Sequence, residues 1–159
     1  MKKETTVQEA FSRLSALCAR SEHCQHDMLE KMRQWGMDDE SKAQVMEKLV
    51  GGRFVDDERF ARAFVSDKIH YAKWGRRKIE QALRMKRIDD SIIDDILGAI
   101  DDTDYLDVLR PLIKQKLKST RAASDYELRM KVMRFAMSRG FTADIIRQCL
   151  DISDIADEE

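Results

Sequence analysis

The sequence has 159 residues, of which 43% are hydrophobic and 37% are charged, and its formal net charge is -1. This hydrophobic content supports a folded core and argues against wholesale disorder. The balanced total charge does not favour a general nucleic-acid binder, so such a function would have to depend on local charge. One proline, six glycines and the lack of alternating β-branched runs predict an all-α fold.

The three cysteines, Cys18, Cys24 and Cys149, show no paired framework, and the first residues lack the apolar core of a signal peptide. No run approaches the roughly 18 apolar residues that span a bilayer. We therefore expect a cytoplasmic protein with reduced cysteines and no membrane association.

An internal repeat of about 50 residues organises the chain. The segment IEQALRMKRIDDSIIDDIL (79–97) aligns with MLEKMRQWGMDDESKAQVM (28–46) and with VMRFAMSRGFTADIIRQCL (132–150). Each copy places an apolar residue before a helix cap, at Met37, Ile88 and Phe141. The repeat predicts three tandem three-helix units stacked into an elongated, curved molecule. Their ranges are 1–52, 53–102 and 103–152, followed by a frayed acidic tail at 153–159.

Apolar periodicity and capping residues set the helix boundaries. Gly36 is predicted to end the second helix in a left-handed cap, and Asp56 to begin the fourth as its N-cap. Pro111 lies inside the seventh apolar pattern and predicts a kink or a late start there. The nine predicted helices span residues 7–20, 26–35, 39–50, 57–73, 76–86, 90–100, 104–118, 126–138 and 143–150.

Charge is segregated along the second repeat. Residues 68–87 contain eight lysines and arginines against one acid, Glu80, whereas residues 88–107 contain eight aspartates and no cation. Arg76, Arg77 and Lys78 occupy the first turn of a helix, where its dipole disfavours cations. This local penalty favours the hypothesis that they serve an anionic partner.

Two alternatives to that hypothesis remain. Glu80 could form ordinary surface pairs with Arg77 and Arg84, each contributing about 0.2–0.5 kcal/mol. The aspartate-rich helices could also be structural partners of the arginine-rich ones. If the cations are functional, Arg77 and Arg84 form an outward stripe with Arg87 close to it, and a weaker counterpart in the third repeat comprises Arg129, Lys131 and Arg134.

Other candidate sites are weaker. Cys18, His23, Cys24 and His26 have metal-ligand chemistry but match no zinc spacing, so no metal is expected. Aromatic residues at helix ends are expected to pack one repeat against the next, with base stacking as the alternative for Trp74; they are Trp35, Tyr71 and Trp74. There is no glycine-rich phosphate loop, and no nucleophile with a base and an orienting group. We expect a protein that is not an enzyme and needs no cofactor.

The run from Phe54 to Ile88 resembles the most recognisable motif of the RecX family, the regulators of the RecA recombinase. Its first part, FVDDERFARAFV, has the family's apolar pair, acids and Arg-Phe-Ala. Its second part, GRRKIEQALRMKRI, has the family's Gly-Arg-Arg-x-Ile-x-x-x-Leu-x-x-Lys pattern. The resemblance covers roughly residues 7–152 and is most specific in the second repeat. Many members are more basic overall, and the position of Arg87 is often glycine.

The resemblance implies a monomer that lodges in the groove of the RecA–single-stranded DNA filament and inhibits ATP hydrolysis and strand exchange in recombination, DNA repair and the SOS response. The motif carries over to Arg59, Lys68, Arg76, Arg77, Lys78, Arg84 and Lys86, with Arg76, Arg77 and Arg84 as the expected partner contacts. The apolar and acidic motif positions, Val55, Asp56, Asp57, Phe60 and Phe64, are assigned to the fold. The alternative is a sequence-independent nucleic-acid-binding module that acts without RecA, and a third reading is a helical adaptor that binds no nucleic acid.

Overall fold

A computed structural model describes the backbone of residues 4–158 and the side chains of residues 4–151. Within these limits the chain forms nine α-helices and no strand, which confirms the all-α prediction. The helices are α1 Val7–Arg20, α2 Gln25–Gln34, α3 Asp39–Gly51, α4 Asp57–His70, α5 Arg76–Met85, α6 Asp90–Gly98, α7 Asp102–Ser119, α8 Asp125–Ser138 and α9 Ala143–Glu158. No helix in the described part of the chain is long and apolar enough to cross a membrane.

The ends of α7 and α9 differ from the sequence-based expectations. Helix α7 begins at Asp102 and runs through Pro111, so the predicted late start is wrong, whereas a kink at Pro111 stays a prediction. The proline removes one backbone donor, and the helix still buries Tyr105, Leu109 and Ile113 along one face. Helix α9 continues to Glu158, past the predicted end at Leu150. Residues 151–158 contain no glycine or proline, so nothing in this segment interrupts the helix.

The chain divides into two compact units. Unit 1 comprises Met1–Phe64 and Leu83–Ile92, and unit 2 comprises Val65–Ala82 and Ile93–Glu159. The divisions fall inside α4, α5 and α6, so neither unit coincides with one predicted repeat. The three repeat boundaries therefore remain a proposal.

In unit 1, α3 packs against both α1 and α2. The amphipathic stripe of α1 contributes Ala10 and Leu14 to a core that α2 and α3 complete. The remaining buried members of this core are Met28, Met32, Met37, Val45, Leu49 and Val55. Asp56 accepts a 3.0 Å hydrogen bond from the amide of Arg59, which confirms its predicted role as the N-cap of α4.

In unit 2, α7, α8 and α9 pack against one another. Their buried faces carry Leu109 and Ile113 from α7, Val132 and Ala136 from α8, and Ile146 from α9. Cys149 is completely buried. Ser124 caps α8 by accepting a 3.1 Å hydrogen bond from the amide of Glu127.

The turn after the second helix of each predicted repeat has the same hydrogen bond. The amides of Met37, Ile88 and Phe141 each donate to a carbonyl five residues earlier, always at 3.2 Å. The residue before each has positive φ: 71° at Gly36, 57° at Arg87 and 94° at Gly140. This is the Schellman ending, in which a left-handed residue lets the chain reverse. The predicted left-handed cap at Gly36 is confirmed, and Arg87 adopts the same conformation despite its side chain.

Candidate functional site

The first turn of α5 in unit 2 combines a cationic sequence with an unusual backbone cap. The amide of Gly75 donates to the carbonyl oxygen of Arg139 at 2.8 Å, and the amide of Arg77 donates to that of Gly140 at 3.0 Å. These carbonyls follow the last turn of α8, the negative end of its dipole. They satisfy donors that begin a helix without partners, so part of the penalty for three cations in this turn is offset.

Two glycines allow this close approach of backbones. A Cβ at position 75 would lie 2.3 Å from the amide nitrogen of Phe141, and a Cβ at position 140 would lie 2.4 Å from the Cβ of Lys78. Both distances are far below van der Waals contact, so no larger residue fits without movement of the backbone. Gly140 also has a φ of 94°, which disfavours any side chain.

The backbone of the α5 start is fixed, but two of its side chains point to solvent. Arg76 and Arg77 are both exposed. In the described part of the chain, neither guanidinium forms an ion pair. Burial raises the pKa of Tyr105, and the charge of Arg76 partly opposes this rise. The two arginines are therefore available to an external anion.

Lys68 and Lys78 have a different environment from these arginines. Their ammonium groups lie 4.8 Å and 4.5 Å from the centre of the Trp74 ring. Such contacts each contribute about 0.5–1 kcal/mol at exposed sites. Trp74 is half-buried, whereas 83% of Tyr71 is exposed. The expectation that Tyr71 packs between repeats is therefore wrong.

The cations at the end of α5 belong to unit 1. Arg84 is exposed and lies 3.9 Å from a carboxylate oxygen of Asp90. Lys86 is tied more closely, with its ammonium 2.7 Å from Asp27 and 5.9 Å from the centre of the Phe60 ring. Arg87 is exposed in its left-handed turn and has no ion pair among the described residues.

Two carboxylates that contact the start of α2, those of Asp27 and Asp57, have pKa values shifted in opposite directions. Burial raises the pKa of Asp27, but the hydrogen bond and charge of Lys86 outweigh burial and leave this pKa below its ordinary value. Asp57 accepts a 2.8 Å hydrogen bond from the amide of Gln25. Burial holds the pKa of Asp57 above its ordinary value, although that hydrogen bond opposes the rise. Asp57 thus supports the fold, as its motif position predicts.

Arg59 makes contacts within unit 1. Its Nε lies 2.6 Å from Glu22, and its Nη2 donates to the carbonyl oxygens of Arg53 and Phe54 at 3.0 Å and 3.2 Å. Arg53 has a φ of 59°, so the guanidinium braces a turn that is itself strained. These contacts engage much of the donor capacity of Arg59.

The weaker cationic cluster of the third repeat is mostly paired. Arg129 lies 3.6 Å from Asp151, and Lys131 lies 3.2 Å from Glu127. Lys131 also donates to the carbonyl oxygen of Arg121 at 2.9 Å. Arg134 is exposed. Of the sequence-predicted candidates, Arg76, Arg77, Arg87 and Arg134 are exposed without an ion pair in the described part of the chain.

The cysteine and histidine side chains near the start of α2 take part in the packing of unit 1. Cys24 is completely buried, and this burial raises the pKa of its thiol to about 11. His23 lies 3.9 Å from Asp27. Among the described residues, no group of three histidine, cysteine, aspartate or glutamate side chains is arranged to hold a metal ion.

Sequence reasoning missed Arg139 and Gly140, which fix the start of α5. The only local indication was the Arg-Gly pair at the end of α8, which also suits an ordinary helix ending. Because the contact joins residues more than 60 positions apart, periodicity within a helix cannot reveal it.

The sequence is similar to that of known proteins of one family. A model of the second three-helix domain of RecX matches residues 56–97, and a model of the third matches residues 102–150. The chain is 31% identical to the regulatory protein RecX of Acinetobacter baylyi, covering 85% of this chain and 82% of that protein. It is 29% identical to the regulatory protein RecX of Halorhodospira halophila, covering 89% and 86% respectively.

A solved structure is similar at the level of the fold. The crystal structure of RecX from Lactobacillus salivarius matches with a TM-score of 0.83 at 18% identity. The match covers 94% of this chain and 97% of that one.

Proposed function

Because the chain belongs to the RecX family, we propose that it regulates the RecA recombinase by binding the RecA–single-stranded DNA filament. In this proposal the bound protein restrains ATP hydrolysis and strand exchange. It acts through binding rather than catalysis, as a cytoplasmic monomer without a cofactor. Recombination and DNA repair are the processes that this regulation affects.

One observation supports the proposal most strongly. Arg76 and Arg77, the first two residues of α5, are exposed and have no ion pair among the described residues. Cations at this end of a helix are electrostatically unfavourable, and the carbonyl oxygens of Arg139 and Gly140 offset that penalty through the backbone. The guanidinium groups therefore remain available to phosphates or carboxylates of the filament, and an arginine can bind either group with two hydrogen bonds.

The other candidate residues differ in what their side chains contact, and we assign their roles accordingly. Arg84 and Arg87 supply exposed charge in unit 1. Lys68 and Lys78 are half-buried against the Trp74 ring, so we assign them to the electrostatic field around the α5 site. Lys86 is half-buried against Asp27, and we assign it to the electrostatic field of unit 1. Arg59 is assigned to the fold because it contacts Glu22 and two carbonyl oxygens. Arg134 extends the charged surface in unit 2, and Arg129 and Lys131 are secondary contacts.

Co-sedimentation tests the proposal. The protein is mixed with preformed RecA filaments or with the same single-stranded DNA alone, at equal salt. We expect it to sediment with filaments at salt concentrations that release it from naked DNA. Equal binding to both, falling steeply with salt, would support the nucleic-acid module that acts without RecA. Binding to neither would support the adaptor.

A further inference from the structure

The turn between α4 and α5, residues 71–75, presents an exposed aromatic ring beside the two arginines. Tyr71 is 83% exposed, more than any other large hydrophobic side chain in the described part of the chain. Lys73, Arg76 and Arg77 are also exposed and follow it within six residues. Between residues 67 and 78 there are five lysines and arginines and one acid, Asp67.

This turn is held rigidly by its backbone. The amide of Ala72 donates to Asp67 at 3.2 Å, and the amide of Trp74 donates to Lys68 at 2.8 Å. Arg139 holds the turn from the other side, because its guanidinium donates to the carbonyl oxygen of Ala72 at 3.4 Å. Its own carbonyl oxygen accepts from Gly75 at 2.8 Å.

Lys73 adopts a φ of 59°, a left-handed conformation that disfavours a residue with a Cβ. The hydrogen bonds on both sides of Lys73 maintain this strained conformation. A binding residue on such a fixed turn loses little conformational freedom when a ligand binds. The turn therefore holds the backbone of Tyr71 in one conformation while its ring stays exposed.

We propose that Tyr71 is a stacking platform for one base of a single-stranded nucleic acid whose phosphates are contacted by Lys73, Arg76 and Arg77. The inference deepens the proposed function and rests on it, since it names the part of the filament that the α5 site contacts. Aromatic stacking requires a base whose face is not covered by neighbouring bases, as it is inside a duplex, so it selects single strands over duplexes.

Two other rings, those of Trp74 and Tyr126, do not fit this role. The Trp74 ring has the ammonium groups of Lys68 and Lys78 within 5 Å of its centre, so those lysines occupy the space that a base would need. Tyr126 is 74% exposed but lies between Asp125 and Glu127, whose charges repel phosphate. Tyr126 therefore provides a matched control.

The test compares two fluorescent oligomers of equal length at low salt, one of thymidines and one of abasic nucleotides. Both have the phosphate backbone, but only the first can stack. We expect wild type to prefer the thymidine oligomer, and Tyr71→Ala to weaken that binding about 5- to 150-fold. Binding to the abasic oligomer should not change. Tyr71→Phe should preserve the preference, and Tyr126→Ala should have no effect.

Three results would overturn the stacking proposal: no wild-type preference for the thymidine oligomer, an unchanged affinity of Tyr71→Ala, or no binding of naked thymidine oligomer. Circular dichroism of each variant verifies that helicity is retained. The proposed function is judged separately, by co-sedimentation of wild type with RecA filaments. If stacking fails while filament binding persists, the α5 site contacts protein or phosphate alone. If filament binding fails, the proposed function is wrong, whatever the oligomers show.

Discussion

The amide nitrogen of Arg77 lies 3.0 Å from the carbonyl oxygen of Gly140, a residue 63 positions later in the chain. This hydrogen bond joins the first turn of α5 to the end of α8, so the backbone of Arg77 is fixed while its side chain stays exposed. The same structural element thus holds the fold and leaves the charge of Arg77 exposed.

The equivalent contact in unit 1 has different chemistry. By the alignment of repeats, Cys24 corresponds to Gly75, and Arg87 corresponds to Gly140. Both have side chains, so the close backbone approach seen in unit 2 is not open to them. The Asp27–Lys86 ion pair at 2.7 Å connects the corresponding segments instead, and the amide of Gln25 donates at 2.8 Å to Asp57 at the start of α4.

Gly140→Ala should destabilise the protein strongly. The new Cβ would lie 2.4 Å from the Cβ of Lys78, and residue 140 has a φ of 94°. Overpacking and left-handed strain together predict a loss of about 3 kcal/mol in the free energy of unfolding, measured by urea denaturation. Gly98→Ala is the control, because its Cβ would meet no atom within 4 Å. Equal stability of both variants would contradict the close approach.

Arg87→Gly should stabilise the protein by about 1 kcal/mol, because glycine adopts a φ of 57° without the penalty of a Cβ. The control is Arg84→Gly, the same substitution inside the last turn of α5, which should destabilise by about 1 kcal/mol. Thermal unfolding of both variants measures the effect. A lower melting temperature for Arg87→Gly would contradict this prediction. It would show that the Arg87 side chain stabilises the protein by more than its left-handed backbone conformation destabilises it.

Asp27→Asn should destabilise the protein at neutral pH by about 1 kcal/mol, because it removes the charged hydrogen bond to Lys86. The folded-state pKa of Asp27 lies below its ordinary 3.8, so this stabilisation is present above that pH and is lost as the pH falls through the folded value. Urea denaturation from pH 7 downward should therefore show wild type and variant converging below about pH 4.

Asp57→Asn is the matched control for that experiment, and its effect should have the opposite sign. Burial raises the folded-state pKa of Asp57, so its contribution is present below 3.8 and is lost as the pH rises through the folded value. Asparagine retains an oxygen that can accept from the amide of Gln25. We expect Asp57→Asn to be no less stable than wild type at pH 7. A larger loss for Asp57→Asn than for Asp27→Asn would contradict these opposite pKa shifts.

Local features of the sequence predicted most of the helices and their ends. Gly36 and Asp56 define their boundaries through interactions within a few residues, so pattern and capping chemistry suffice to identify them. The support of α5 could not be predicted in this way, because Arg139 and Gly140 are distant in sequence. The exposure of Tyr71 also depends on how the turn is held, and periodicity gives no information about it.

The candidate site was only partly evident from residue types. Eight cations in one segment indicated a basic surface, but their partners depend on tertiary contacts. Asp27 contacts Lys86 from 59 positions away, and Glu22 contacts Arg59 from 37 positions away. Arg76 and Arg77 could be separated from these structural cations only when the contacts of each side chain were known.

The most direct measurement is inhibition of RecA ATPase on single-stranded DNA by Arg76→Glu/Arg77→Glu. Carboxylates suit the first turn of a helix, so the fold should not lose stability, and thermal unfolding verifies this. The matched control, Lys114→Glu/Lys118→Glu, makes the same change in net charge at two exposed positions of α7. We predict that the α5 variant loses inhibition while the α7 variant retains it. Full inhibition by a folded α5 variant would contradict the assignment of this surface to the RecA filament.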